Sequence, residues 1–130
     1  MEEEEYEYFA KQIFTSALEV HKHLGPGLLE SAYQTAFEME LKWKDIGFAT
    51  QVRLPLIYKG APTEKDFVID LLVEREIIVE LKAVEVMLPV HAAQLLSYLR
   101  LADKRLGFLI NFNVALLKDG FKRVVNNYYF

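Results

Sequence analysis

The chain has 130 residues, no cysteine and a formal net charge of −4. That length fits one domain, residues 1–130, with a core of its own, while the lack of cysteine excludes disulfides and thiolate metal sites and the acidic balance argues against a nonspecific nucleic-acid coat, which depends on neutralising phosphates. No apolar run is long enough for a membrane span, and the opening Met1-Glu2-Glu3-Glu4-Glu5 has the wrong sign for a secretion signal; a cytoplasmic protein with a solvated, frayed start is expected.

From Tyr6 to Leu24, Phe9, Ile13, Ala17, Val20 and Leu24 recur at helical spacing. Gly25-Pro26-Gly27 stops this first helix. A second helix is expected over Leu28–Lys44, closed by Gly47. Phe48–Tyr58 reads as a strand, and Pro55 within it points to an edge position or a bulge. Lys59-Gly60-Ala61-Pro62 is a turn. Phe67–Val73 and Ile77–Val84 follow as strands separated by Glu74-Arg75-Glu76, hence a hairpin. Its tip has no Gly, Asn or Asp, so its turn type is not readable.

Pro89 precedes a third helix, Val90–Lys104, and Leu106–Phe112 is the near-continuous apolar run of a strand covered on both faces. After an Asp119-Gly120 turn, Phe121–Val125 is a last short strand. Strands in hairpin arrangement followed by a strand–helix–strand crossover imply an α/β (α+β) fold, with a central mixed sheet flanked by helices.

Three charged residues interrupt the hairpin strands: Asp70 in one, Glu80 and Lys82 in the other. Charges inside core strands call for pairing or ligation. Glu80 and Lys82 are two apart and share a face. If the hairpin folds about Arg75, Asp70 falls opposite Glu80, roughly 5 Å away, and a one-residue slip would undo this. Two carboxylates so close repel, and a hard cation such as Mg²⁺ or Mn²⁺ removes the conflict. Lys82 could then orient or deprotonate water, or stabilise phosphorane-like charge. A plain ion-pair network explains the same residues.

On the second helix, Glu30 shares a face with Gly27, Tyr33, Phe37 and Leu41, which suggests an inward carboxylate beside a glycine that permits close backbone approach. A first-turn acid stabilised by the helix dipole is the alternative and, on this residue alone, the better explanation. On the third helix His91, Gln94 and Tyr98 form a polar stripe, either a substrate-facing one or an ordinary solvent face; without a second histidine at ligand spacing, zinc is discounted.

Gly27-Leu28-Leu29-Glu30-Ser31-Ala32-Tyr33 resembles the motif of the GxxExxY proteins, and Asp70 followed by Glu80-Leu81-Lys82 resembles the bipartite signature of the PD-(D/E)xK nuclease superfamily. Gln94-Leu95-Leu96-Ser97-Tyr98-Leu99 and Leu109-Ile110-Asn111-Phe112 extend the likeness over about Leu24–Val125. The resemblance implies a restriction-endonuclease-like αβββαβ core with an extra N-terminal helix. It implies metal ligation by Asp70, Glu80, the Leu81 carbonyl and Glu30. Lys82, Glu30, Asp70 and Glu80 would be catalytic, and Gln94, Tyr98 and Tyr33 would hold substrate. It departs near Val68, where relatives often carry a basic residue, and in lacking the proline of the superfamily's name.

The expected activity is Mg²⁺- or Mn²⁺-dependent hydrolysis of nucleic acid, DNA over RNA, with Lys104, Arg105, Lys122 and Arg123 as candidate phosphate contacts. The alternatives are a catalytically silent nucleic-acid-binding or accessory module, and a homo-oligomer whose charged hairpin is only structural. The aromatic end, Val124–Phe130, packs on the domain or on a second subunit.

Overall fold

The computed structural model describes all residues from Met1 to Phe130. The order is α1 (Glu3–Leu24), α2 (Glu30–Trp43), β1 (Phe48–Tyr58), β2 (Ala61–Val73), β3 (Ile77–Lys82), α3 (Pro89–Ala102), β4 (Leu106–Asn111) and β5 (Phe121–Val125), with one 3-10 turn at Leu117–Asp119. The strands form one mixed sheet in sequence order: β3 and β4 are parallel, and every other pair is antiparallel.

The helices cover both faces. Ile13, Ala17 and Val20 of α1 and Phe37 and Leu41 of α2 pack on Leu71, Val73, Val79, Leu81, Phe108 and Ile110. On the other face, Leu95 and Leu99 of α3 cover Ile78, Leu109, Ile69 and Leu54. Each side chain fully buried in these layers contributes about 1.5–3 kcal/mol.

Several boundaries differ from the sequence expectation for local reasons. The acidic start is helical: α1 begins at Glu3, with three carboxylates at its positive end and the Glu2 N–H donating to Glu5 Oε1 at 3.1 Å. α2 begins at Glu30 rather than Leu28, because Gly27 adopts φ 102° and Leu29 is still extended. A side chain at Gly27 would meet nothing, so its left-handed φ, and not close approach, is what glycine supplies.

β2 reaches back to Ala61. Lys59 and Gly60, both at positive φ, make the two-residue turn by themselves, and Tyr58 pairs with Ala61. Pro55 lies on an edge strand at a register shift. Pro62 is tolerated because β3 pairs only with Leu71–Val73, leaving the far part of β2 unpartnered on that side. β3 and β4 stop at Lys82 and Asn111, and α3 takes Pro89 as its first residue. The hairpin tip holds Glu74 and Arg75 at φ 51° and 63°. The tip is tied down from outside: Gly47 N–H donates to Glu74 Oε1 at 2.8 Å and the Tyr6 hydroxyl to Glu76 Oε2 at 3.2 Å.

The aromatic C-terminus packs on its own chain. Tyr128 and Phe130 surround Tyr6, and Arg105 lies over the Phe130 ring.

Candidate active site

The β2–β3 ladder pairs Val73 with Ile77, Leu72 with Ile78 and Leu71 with Val79. That is the register centred on Arg75, and its next rung would be Asp70 against Glu80. There the strands part, and side chains replace the missing backbone bonds. The Asp70 N–H donates to Glu80 Oε2 at 2.7 Å, and the Leu81 N–H donates to Asp70 Oδ2 at 2.9 Å. In a strand a residue's N–H and C=O point to the same side. The Leu81 carbonyl therefore faces the same gap as the two carboxylates.

This gap is electrostatically unbalanced. Glu80 is 6 % exposed. Burial, then the neighbouring Asp70 charge, push its carboxyl up to about 8, against the Asp70 backbone N–H bond, which favours the charged form. Lys82, two residues on and half-buried, pulls the same way as that bond. The ion pairs of the molecule are His23–Glu19, Arg53–Asp66 and Arg123–Glu7. Lys82, Asp70 and Glu80 belong to none of them, so the ion-pair network weighed above is not what this structure builds.

Glu30 is the first residue of α2 and is exposed, not inward. Burial and Asp70 raise its pKa while Lys82 lowers it, which puts it within electrostatic reach of both. No three acidic or histidine side chains converge closely enough to hold an ion by themselves. The structure thus gathers Asp70, Glu80 and the Leu81 carbonyl, with Glu30 standing off.

Tyr98 comes in from α3; the residue is 7 % exposed, and its ring is tilted against Phe67 at 5.6 Å. Burial, then Glu80 and Asp70, raise its hydroxyl pKa, so its polar end lies toward the carboxylates. Gln94 sits one helical turn earlier and is exposed. His91 is occupied in capping: its Nδ1 accepts the Leu88 N–H at 3.1 Å.

Tyr33 is not a surface of the site. It is wholly buried and stacked on Phe112 at 4.7 Å. Its hydroxyl donates to the Gly25 carbonyl at 2.6 Å and accepts the Leu28 N–H at 3.1 Å. The G-x-x-E-x-x-Y pattern is thereby explained: Gly27 turns the chain, Tyr33 clamps the turn, and Glu30 is presented at the helix start.

The basic candidates also change. Arg123 bonds Glu7, and Arg105 bonds the Tyr129 carbonyl at 3.1 Å, so both are committed to the terminus. Arg105 also precedes the end of β4 that pairs with Ile77, far from Lys82. Sequence reasoning gave no role to Asn111. It is 2 % exposed, donates to the Val84 carbonyl at 2.9 Å and accepts the Val84 and Asn113 N–H groups at 3.1 and 3.2 Å. It latches the chain leaving β3 just past Lys82. The signal was an amide closing an otherwise apolar run.

With this geometry in view, the family match is decisive: the profile of the PD-(D/E)XK nuclease superfamily matches residues 7–124.

The chain belongs to the PD-(D/E)XK nuclease superfamily.

Three helices around a five-stranded mixed sheet agree with the restriction-endonuclease-like fold of that superfamily. No curated protein and no solved structure matches the chain significantly. No helix is long and apolar enough to cross a membrane.

Nucleases of this superfamily generally use divalent metals. The residues in the gap suit one. Two carboxylates there each bond a backbone N–H through one oxygen, leaving a second oxygen apiece and the Leu81 carbonyl. An all-oxygen donor set with one or two carboxylates suits Mg²⁺ or Mn²⁺ and not zinc.

Proposed function

We propose that the chain is a divalent-metal-dependent nuclease that hydrolyses phosphodiester bonds of nucleic acid. The observation that carries this is the pair Asp70–Glu80: two carboxylates at the parting of two strands, each bonded to a backbone N–H of the opposite strand, with no cation paired to either. Asp70, Glu80 and the Leu81 carbonyl would hold Mg²⁺ or Mn²⁺, which supplies Lewis acidity toward the scissile phosphate. Lys82, on the same face as Glu80, holds or moves a proton at Nζ and places positive charge where the phosphorane charge develops. Glu30 orients water across the gap, while Tyr98 and Gln94 form the α3 side of the substrate path.

The test is cleavage of single- and double-stranded DNA and RNA in Mg²⁺ and in Mn²⁺, with Lys82→Ala as control. Cleavage that needs metal and drops at least about 100-fold in the variant supports the reading. Metal-independent cleavage, or cleavage indifferent to Lys82, contradicts it.

The second reading, a silent nucleic-acid-binding module, is favoured by the net charge of −4 and by the internal commitment of Arg105 and Arg123. It predicts salt-sensitive binding with no cleavage in either metal.

A further inference from the structure

Strand β1 contains a residue in a conformation that strands do not adopt. Gln51 has φ 51°, although it is neither glycine nor at a turn. It lies at the rung that would pair with Asp70: Thr50 pairs with Leu71 and Val52 with Ile69, and the register is the same on both sides.

No residue has been inserted, yet the ribbon changes face at this rung. Residues two apart on a strand share a face. Leu71 and Val73 pack in the core under α1 and α2, as does Phe48 of β1. Ile69 and Phe67, which should follow them, pack instead under α3, together with Val52 and Leu54 of β1. Both strands therefore rotate about half a turn between Thr50–Leu71 and Val52–Ile69. At the point of rotation Asp70 faces neither core. It bonds sideways with β3, through its N–H to Glu80 and its carboxylate to Leu81. The same rotation lays Phe67 against Tyr98.

We infer that Gln51 is a positioning residue: its left-handed backbone turns the β1–β2 ribbon so that Asp70 is aimed into the gap beside Glu80. The Gln51 side chain is exposed, so we assign the aiming to its backbone conformation. Left-handed φ is open to glycine, tolerated by asparagine and resisted by β-branched residues. Bulges and related distortions re-aim side chains at active sites in the same manner.

The experiment is a series at this position in the full chain: Gln51→Gly, Gln51→Asn and Gln51→Val, with Gln51→Thr in place of the last if it does not fold. Two quantities are read: Mn²⁺ affinity by calorimetry, and hydrogen exchange of the Leu81 amide in metal-free protein. The glycine and asparagine variants are expected within about twofold of wild type in both. The β-branched variant, with an unchanged circular dichroism spectrum, is expected to lose about tenfold in affinity and about tenfold in Leu81 protection. A β-branched variant that keeps both, whatever its melting temperature, overturns the inference. The affinity readout rests on the proposed metal site, whereas the amide readout does not. If wild type binds no Mn²⁺, the proposed function fails, and Leu81 exchange still decides the role of Gln51.

Discussion

The backbone N–H of Asp70 donates to Oε2 of Glu80 across the sheet at 2.7 Å, and this bond stands where a β-ladder rung is missing. It brings two acids together in a largely buried gap and satisfies only one oxygen of Glu80. Burying two acids together costs stability, and the proposed cation between them would offset that cost.

Removing the conflict should therefore stabilise the metal-free chain. Asp70→Asn keeps an acceptor for the Leu81 N–H and removes the charge beside Glu80. A gain of about 1 kcal/mol, or about 3–5 °C in Tm, is expected in EDTA. The same variant should lose the Tm increase that Mn²⁺ gives wild type. Thermal scans with EDTA and with Mn²⁺ check both.

Glu80 also makes stability depend on pH. Its carboxyl is raised from 4.5 to about 8, first by burial and then by Asp70. Between those values the folded state holds a proton that the unfolded chain has released, so stability falls as pH rises. The contribution is complete below 4.5 and lost by about 8. A Tm–pH series in EDTA should fall across that window and flatten in Glu80→Gln. Mn²⁺ binding at neutral pH should release this proton, which calorimetry in buffers of different ionisation enthalpy detects.

Tyr33 tests the reading of the G-x-x-E-x-x-Y turn. Tyr33→Phe removes the hydroxyl that bonds Gly25 and Leu28. A loss of about 1–3 kcal/mol is expected, seen as a lower Tm, with substrate affinity within a few-fold of wild type. Weakened substrate binding at unchanged Tm would instead make Tyr33 a substrate contact.

Asn111→Leu should leave the Val84 N–H and carbonyl without their partner. The expected cost is about 2–3 kcal/mol by chemical denaturation, accompanied by slower turnover, since Lys82 sits immediately before the segment that Asn111 holds.

Asp70, Glu80 and Lys82 could be read from the chain because charges inside apolar strands have few explanations, whereas the register about Arg75 was an assumption, since Leu71–Val73 and Ile77–Val79 are apolar throughout and mark no single face. Tyr33 is not legible from the sequence, because an amphipathic ring at helical spacing looks the same whether its hydroxyl meets substrate or, as here, a loop carbonyl. The extension of β2 to Ala61 was invisible: residues 61–66 are all exposed, so no burial period marks them as a strand. The left-handed Gln51 left no trace either, since nothing in a glutamine predicts that φ; the fold imposes it.

Titration of Mn²⁺ into wild type and into the Asp70→Ala, Glu80→Ala double variant, both shown folded by circular dichroism, tests the central claim most directly. Binding by wild type that vanishes in the double variant is the predicted result. No binding by wild type, even with a phosphate substrate analogue present, or equal binding by both proteins, would contradict a metal site between β2 and β3.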